Sequence, residues 1–163
     1  MSVFKTTFSR ALAVIPSDNA NVPYPAPSAS GTNTSVTVAS LVDSAATFNT
    51  KNVKTGDIVY NTTDGTAATV LVVVSQTTLL LNADIFTATA KAYVVYAASP
   101  QTSNGNPGCY LYVGGAGNVK VTTIGQDVVT FTAVPVGTVL PVQVVKVHGS
   151  GSGTTATLIN ALW

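Results

Sequence analysis

The chain has 163 residues, of which 46% are hydrophobic, 8% charged and 7% aromatic, with seven Lys and Arg against six acidic residues and a mean hydropathy of +0.40. That balance excludes disorder, which pairs low hydrophobicity with high net charge, and it gives no basic stripe for nucleic acid, because Lys5, Arg10, Lys51, Lys54, Lys91, Lys120 and Lys146 are scattered singly. The densest apolar run, Val70 to Val74, is far shorter than the roughly 20 residues of a membrane-spanning helix, so neither nucleic acid nor membrane is expected as a partner.

All six acids are Asp and none is Glu, which deprives a helical reading of its usual solvent-facing residue. Val and Thr take the place of Leu, Glu and Lys, and β-branched side chains suit a pleated surface. The expected fold class is therefore all-β: a β-sandwich or jelly-roll-like sheet built from both chain ends, with an inserted small β-barrel or sandwich module.

Taken in order, residues 1–15 end in a short apolar strand, Ala11 to Ile15, and carry no stretch long enough for a secretory signal,. Pro16 to Gly31, punctuated by Pro23, Pro25 and Pro27, reads as a linker or surface strap, since proline cannot donate to a central ladder. Strands are then expected at Ser35 to Val42, Asp57 to Tyr60, Ala68 to Ser75, Thr78 to Leu81 and Ala92 to Tyr96, with Ser99 to Gly108 as a second break,. Five more follow at Cys109 to Val113, Val119 to Ile124, Val128 to Ala133, Thr138 to Val147 and Thr155 to Trp163. Gly114 to Gly117, Gly125 to Asp127, Val134 to Gly137 and Gly149 to Gly153 supply the turns,. The first strand has no nearby partner and is expected to pair with the C-terminal zone. The domains are accordingly 1–30 plus 105–163, with 31–104 inserted. Modules this small bury little of their surface, which points to subunit association as a source of stability.

Reactive constellations are scarce. His148 is the sole histidine and Cys109 the sole cysteine, so no disulfide and no thiol-based zinc site is expected; no metal and no cofactor are expected either. Gly149 to Gly153 has Gly151 where a nucleophile elbow needs serine,. Asp57, Asp64 and Asp84 adjoin turns, where Asp makes local bonds to the backbone. Gly114 to Gly117 precedes a strand instead of a phosphate-binding helix and is read as a hairpin turn. Tyr93, Tyr96, Tyr110 and Tyr112 fall at strand-like intervals that favour packing over a stacking platform. The Asn33-Thr34-Ser35 and Asn61-Thr62-Thr63 triplets match the glycosylation pattern, but are weak signals in so Thr-rich a chain. The expectation is a protein that is not an enzyme.

The series Leu111 to Val119 (LYVGGAGNV), Gly125 and Asp127 ahead of Val129-Thr130-Phe131, Val134 to Val142 (VPVGTVLPV), Gly153 to Thr157 (GTTAT) and Ala161-Leu162-Trp163 resembles the head-spike base proteins of tailed bacteriophages and gene transfer agents. The upstream Ala11 to Asp18 (ALAVIPSD) looks like that family's opening strand. The middle zone departs from it, and its Val53 to Asn61 (VKTGDIVYN) and Asp64 to Ala67 (DGTA) are similar to a β module inserted in phage virion proteins. The resemblance implies a virion structural protein on the outer capsid surface, either a cement or decoration protein or a head-spike base. Its implied partners are the major capsid protein and itself, as a trimer or alternatively a pentamer. Phe4, Lys5, Phe8, Arg10, Tyr24 and Trp163 are the expected capsid or subunit contacts. The alternative is a carbohydrate- or receptor-binding module of a phage fibre or spike, with an aromatic shelf around Asp57, Tyr60, Asn61 and Asp64.

Overall fold

Two antiparallel sheets, one of six strands and one of seven, account for the regular structure of a computed structural model that describes residues 7–98 and 107–163. The chain is all-β, as its Val and Thr content required. In chain order the strands are β1 (Ala11–Ala13), β2 (Pro27–Thr32), β3 (Ser35–Thr37), β4 (Ser40–Val42), β5 (Ile58–Asn61), β6 (Thr66–Val73) and β7 (Thr78–Leu81). They continue as β8 (Ala92–Tyr96), β9 (Cys109–Gly115), β10 (Gly117–Thr123), β11 (Val128–Val134), β12 (Thr138–Val147) and β13 (Thr157–Leu162). One 3-10 turn, Ser150–Ser152, lies in the glycine-rich loop before β13.

The six-stranded sheet runs β1-β13-β9-β12-β10-β11 and is made from both chain ends: Ala11 stands opposite Leu162 and Ala13 opposite Asn160. Alternation along β9 and β13 sends Leu111, Val113, Ile159 and Ala161 inward, where they join Val119, Val121, Leu140 and Val144 in one core,. Cys109 lies in that core and its Sγ is 3.5 Å from the Val144 carbonyl; burial pushes the thiol up to about 12,. The seven-stranded sheet runs β2-β8-β5-β6-β7-β4-β3 around a separate core of Leu41, Val59, Val70, Leu79, Leu81 and Val95. Within it Tyr93 packs against Phe48 and Phe86 at centroid separations of 6.0 and 6.4 Å.

A third, smaller cluster joins the two sheets. Ile58, Tyr60 and Ala67 on the outer face of β5 and β6 pack against Ala20, Leu12 and Ile15, so β5 is covered on both faces and all four of its residues are buried.

Three local expectations need correction. Pro16 to Gly31 is not wholly a linker, because its last residues form β2, an edge strand on β8; Pro27 begins that strand, a position where a missing N–H is tolerated. Ser35 to Val42 is not one strand but the β3-β4 hairpin, with Thr37 opposite Ser40 and Ala39 at φ 49°. No glycine marks that turn. Gly114 to Gly117 is not a hairpin turn either: β9 and β10 do not pair but flank β12 on opposite sides. The run is a corner where the chain passes over residues 155–158, and a Cβ on Gly115 or Gly117 would lie 2.0 Å from Thr157 Oγ1 or 2.5 Å from the Ala156 nitrogen. The two glycosylation-like asparagines, weak signals in the sequence, are enclosed. Asn33 donates to the Ala88 carbonyl and Asn61 to the Ile85 carbonyl.

Candidate functional site

The strap between β1 and β2 is where the polar chemistry collects. Its backbone is bonded to both sheets: Ser17 N–H donates to the Val147 carbonyl and Ser17 Oγ to the Ala67 carbonyl, each at 2.9 Å. The Asn19 carbonyl accepts from Thr69 Oγ1 at 2.8 Å and from Asn82 Nδ2 at 2.7 Å. Between these two residues Asp18 points toward the end of β12. Its Oδ1 is 3.0 Å from His148 Nδ1, its Oδ2 accepts from Ser152 Oγ at 2.7 Å, and its carbonyl accepts from Lys146 Nζ at 3.1 Å. The other ring nitrogen, His148 Nε2, lies 3.0 Å from Thr122 Oγ1.

The order Thr122 hydroxyl, His148 imidazole, Asp18 carboxylate is that of a nucleophile relay. In the tautomer whose Nδ1–H donates a hydrogen bond to the Asp18 carboxylate, Nε2 accepts from the Thr122 hydroxyl. Cavities of about 400 and 380 Å³ flank Asp18 along the seam between the sheets. Their walls include Asp18 but neither His148 nor Thr122. A molecule filling either would meet the carboxylate end of the relay, not the hydroxyl that would have to attack.

The Ser152 hydroxyl holds the Asp18 carboxyl below the usual carboxylate range; burial opposes it, and the His148 ring and the Gly149 amide add smaller lowering contributions,. A depressed carboxylate contributes stability above its unfolded value and loses it as pH falls through the folded one. Asp18→Asn is therefore expected to remove a part of the acid-side slope below about pH 4. The effect on neutral stability is small, because a half-exposed carboxylate is screened by solvent,. Urea titrations of both proteins at pH 7 and pH 3 check this: the gap between them narrows at pH 3, and a constant gap rejects the linkage.

The residues expected at an interface lie around the β1-β13 edge of the six-stranded sheet. Arg10 stacks over Tyr24 at 5.3 Å, and Tyr24 meets Trp163 edge-on at 5.8 Å. The Trp163 carbonyl accepts from the Ser9 and Arg10 amides, and Arg10 Nη1 donates to the Pro25 carbonyl. Phe8 lies 5.7 Å from Tyr110 and is exposed. The structure thus brings Phe8, Arg10, Tyr24 and Trp163 into one neighbourhood; Phe4 and Lys5 lie outside the described residues.

The shelf expected around Asp57, Tyr60, Asn61 and Asp64 does not form. Tyr60 and Asn61 are buried, Tyr60 edge-on to Tyr96 at 5.4 Å with its phenol pKa driven up by burial. Asp57 accepts from the Lys54 and Ala98 amides, and burial raises its carboxyl in spite of them. Asp64 pairs with Lys91 Nζ at 2.8 Å and accepts from Asn61 Nδ2; the lysine, then the amide, hold its pKa down. Among the described residues no group of three or more His, Cys or Asp side chains is arranged to hold a metal. No helix there is long and apolar enough to cross a membrane.

The Asp18–His148 pair escaped the sequence reading because 130 positions separate its members. The signal that was present is indirect: pairing of the first strand with the C-terminal zone already carries residue 18 toward the end of the strand before His148. Comparison with known protein families, curated proteins and solved structures gives no match.

Proposed function

We propose that this protein is a structural component of a bacteriophage virion, a cement or decoration protein or head-spike base on the outer surface of the head, contacting the major capsid protein and other copies of itself. The observation that carries this reading is β11. It ends the six-stranded sheet, and six of its seven residues are exposed or half-buried, on both faces. Val128 and Val129 show 58% and 40% of their surface, and Val128–Val134 has no charge and no proline. Monomeric proteins protect such an edge with lysine, proline or a covering segment, since its free N–H and C=O groups pair with any available strand. An edge that is uncharged and, among the described residues, paired on one side only suits strand addition by a protein partner,, and many copies on one shell multiply a weak contact through effective concentration.

The resemblance of residues 111–142 and 153–163 to head-spike base proteins supplies the kind of shell. The exposed Phe8 ring beside Tyr110 offers a second contact at the sheet's other edge. The Asp18 relay is assigned to the clamp between strap and sheet, since its hydroxyl faces neither cavity.

Co-sedimentation with empty phage heads tests the proposal. Wild-type protein is expected to pellet with heads at saturable stoichiometry, and Val129→Lys to lose at least tenfold in affinity while keeping its circular dichroism spectrum. No association of the wild-type chain with any head rejects the reading.

A further inference from the structure

We infer that a second copy of this chain packs against the outer face of β6 and β7, so that self-association runs through the inserted sheet and leaves β11 free for the shell. The face can be followed along β6. Its outward residues begin with Ala67, which lies under the strap, and continue with Thr69, bonded to Asn19. Beyond Thr69 the cover thins: Leu71 still borders the cavity beside Asp18 and Asn19, and the residues after it lie outside that cavity. A bulge between Val70 and Val72 turns both Leu71 and Val72 outward, and Val74 follows them. Leu80 on β7 stands opposite Val72.

Leu71, Val72, Val74 and Leu80 show 46, 47, 60 and 36% of their surfaces, and Val38, at the tip of the β3-β4 hairpin beside them, shows 77%. Together they present roughly 400 Å² of apolar surface, as much as a typical monomer's largest patch. That is about half of the ~800 Å² per partner of a standard interface, the share that its apolar centre contributes.

Two features favour a copy of the same chain as occupant. Residues 66–81 and 35–42 contain no charged side chain, and the nearest charges at the Leu71 end, Asp18 and Lys146, are of opposite sign, so two such faces meet without net like-charge repulsion. The face is also continuous with the one that Ile58, Tyr60 and Ala67 bury under the strap, so the intramolecular seam shows how this surface packs. A bulge that exposes two adjacent large aliphatics instead of one is otherwise an unprotected liability.

The inference deepens the proposed self-association, and its test is independent of phage heads. The molar mass of the full chain is measured by light scattering across a concentration series, for the wild type, Val72→Asp and Val129→Asp. Expected is an oligomer for the wild type and for Val129→Asp, and a folded monomer for Val72→Asp, with an apparent self-association constant weakened at least tenfold. Val74→Cys adds a folded-state readout: Cys109 is buried, so the new thiol is the reactive one, and oxidation should give a disulfide-linked dimer. A monomeric wild type, an unchanged mass for Val72→Asp, or disruption by Val129→Asp alone overturns the inference. Failure to bind heads with these masses as expected rejects the shell reading and leaves this one standing.

Discussion

Gly117→Ala is expected to cost roughly 3 kcal/mol and to lower the melting temperature by about 6 to 12 °C. The reason is backbone against backbone. A Cβ at residue 117 would lie 2.5 Å from the Ala156 nitrogen, 2.7 Å from the Thr155 carbonyl carbon and 2.8 Å from the Ala156 Cα. None of these is the movable end of a side chain. Relief requires the corner between β9 and β10 to lift away from residues 155 and 156, which breaks the amide bonds that Thr155 and Ala156 donate to the Asn118 carbonyl at 2.8 and 3.0 Å. Gly137→Ala is the control. Gly137 also has positive φ, +84°, but nothing lies within 4 Å of its would-be Cβ, so only the local conformational penalty of about 1 kcal/mol applies. Calorimetry on both variants decides the matter: equal losses would mean that the glycine run serves its dihedral angles and not the close crossing.

The second large effect concerns the core of the inserted sheet. Tyr93 is buried and its hydroxyl donates to Asp43 Oδ2 at 2.7 Å; burial, then the neighbouring carboxylate, raises the phenol pKa and keeps it a neutral donor. The other oxygen, Oδ1, accepts from the Ala45 amide. Tyr93→Phe keeps the ring against Phe48 and Phe86 yet strips one bond from a carboxylate that is only 5% exposed, a loss of about 2 kcal/mol. In a double-mutant cycle with Asp43→Asn, urea unfolding should show a coupling of about 1 kcal/mol or more; additive losses would show that the ring alone matters. Gly31 lies directly over this pair, and a Cβ there would be 2.5 Å from Asp43 Oδ2 and 2.8 Å from the Tyr93 hydroxyl. The glycine in β2 thus closes the lid on the buried bond.

Apolar runs set off by polar or glycine residues were legible with their limits: Thr78–Leu81, Ala92–Tyr96 and Thr138–Val147 are found where the sequence places them. So was the pairing of Ala11–Ala13 with the last strand, because a short apolar strand followed by prolines has nowhere local to pair. What escaped were features decided by tertiary contact. The β3-β4 turn uses Val38 and Ala39, residues that give no turn signal, and Ala39 takes a positive φ regardless. The glycine run carries the same letters whether it turns a hairpin or bends under another strand. The outward pair Leu71 and Val72 sits inside an unbroken aliphatic run, VLVVV, whose pattern cannot reveal a bulge,. Phe8, Arg10, Tyr24 and Trp163 were found together because all four belong to segments at or near the chain ends, and the ends are adjacent strands.

The first and last strands of the seven-stranded sheet, β2 and β8, are hydrogen-bonded neighbours, and Pro27 stands opposite Tyr96. The chain therefore enters and leaves that body at one spot, like a cassette spliced into a single loop of its host. The entropy of closing so short a gap is that of a tight turn whatever length lies beyond it, and lineages could exchange the cassette without refolding the host. The limit on such grafts is set by Leu12, Ile15 and Ala20, which any replacement would have to keep dry.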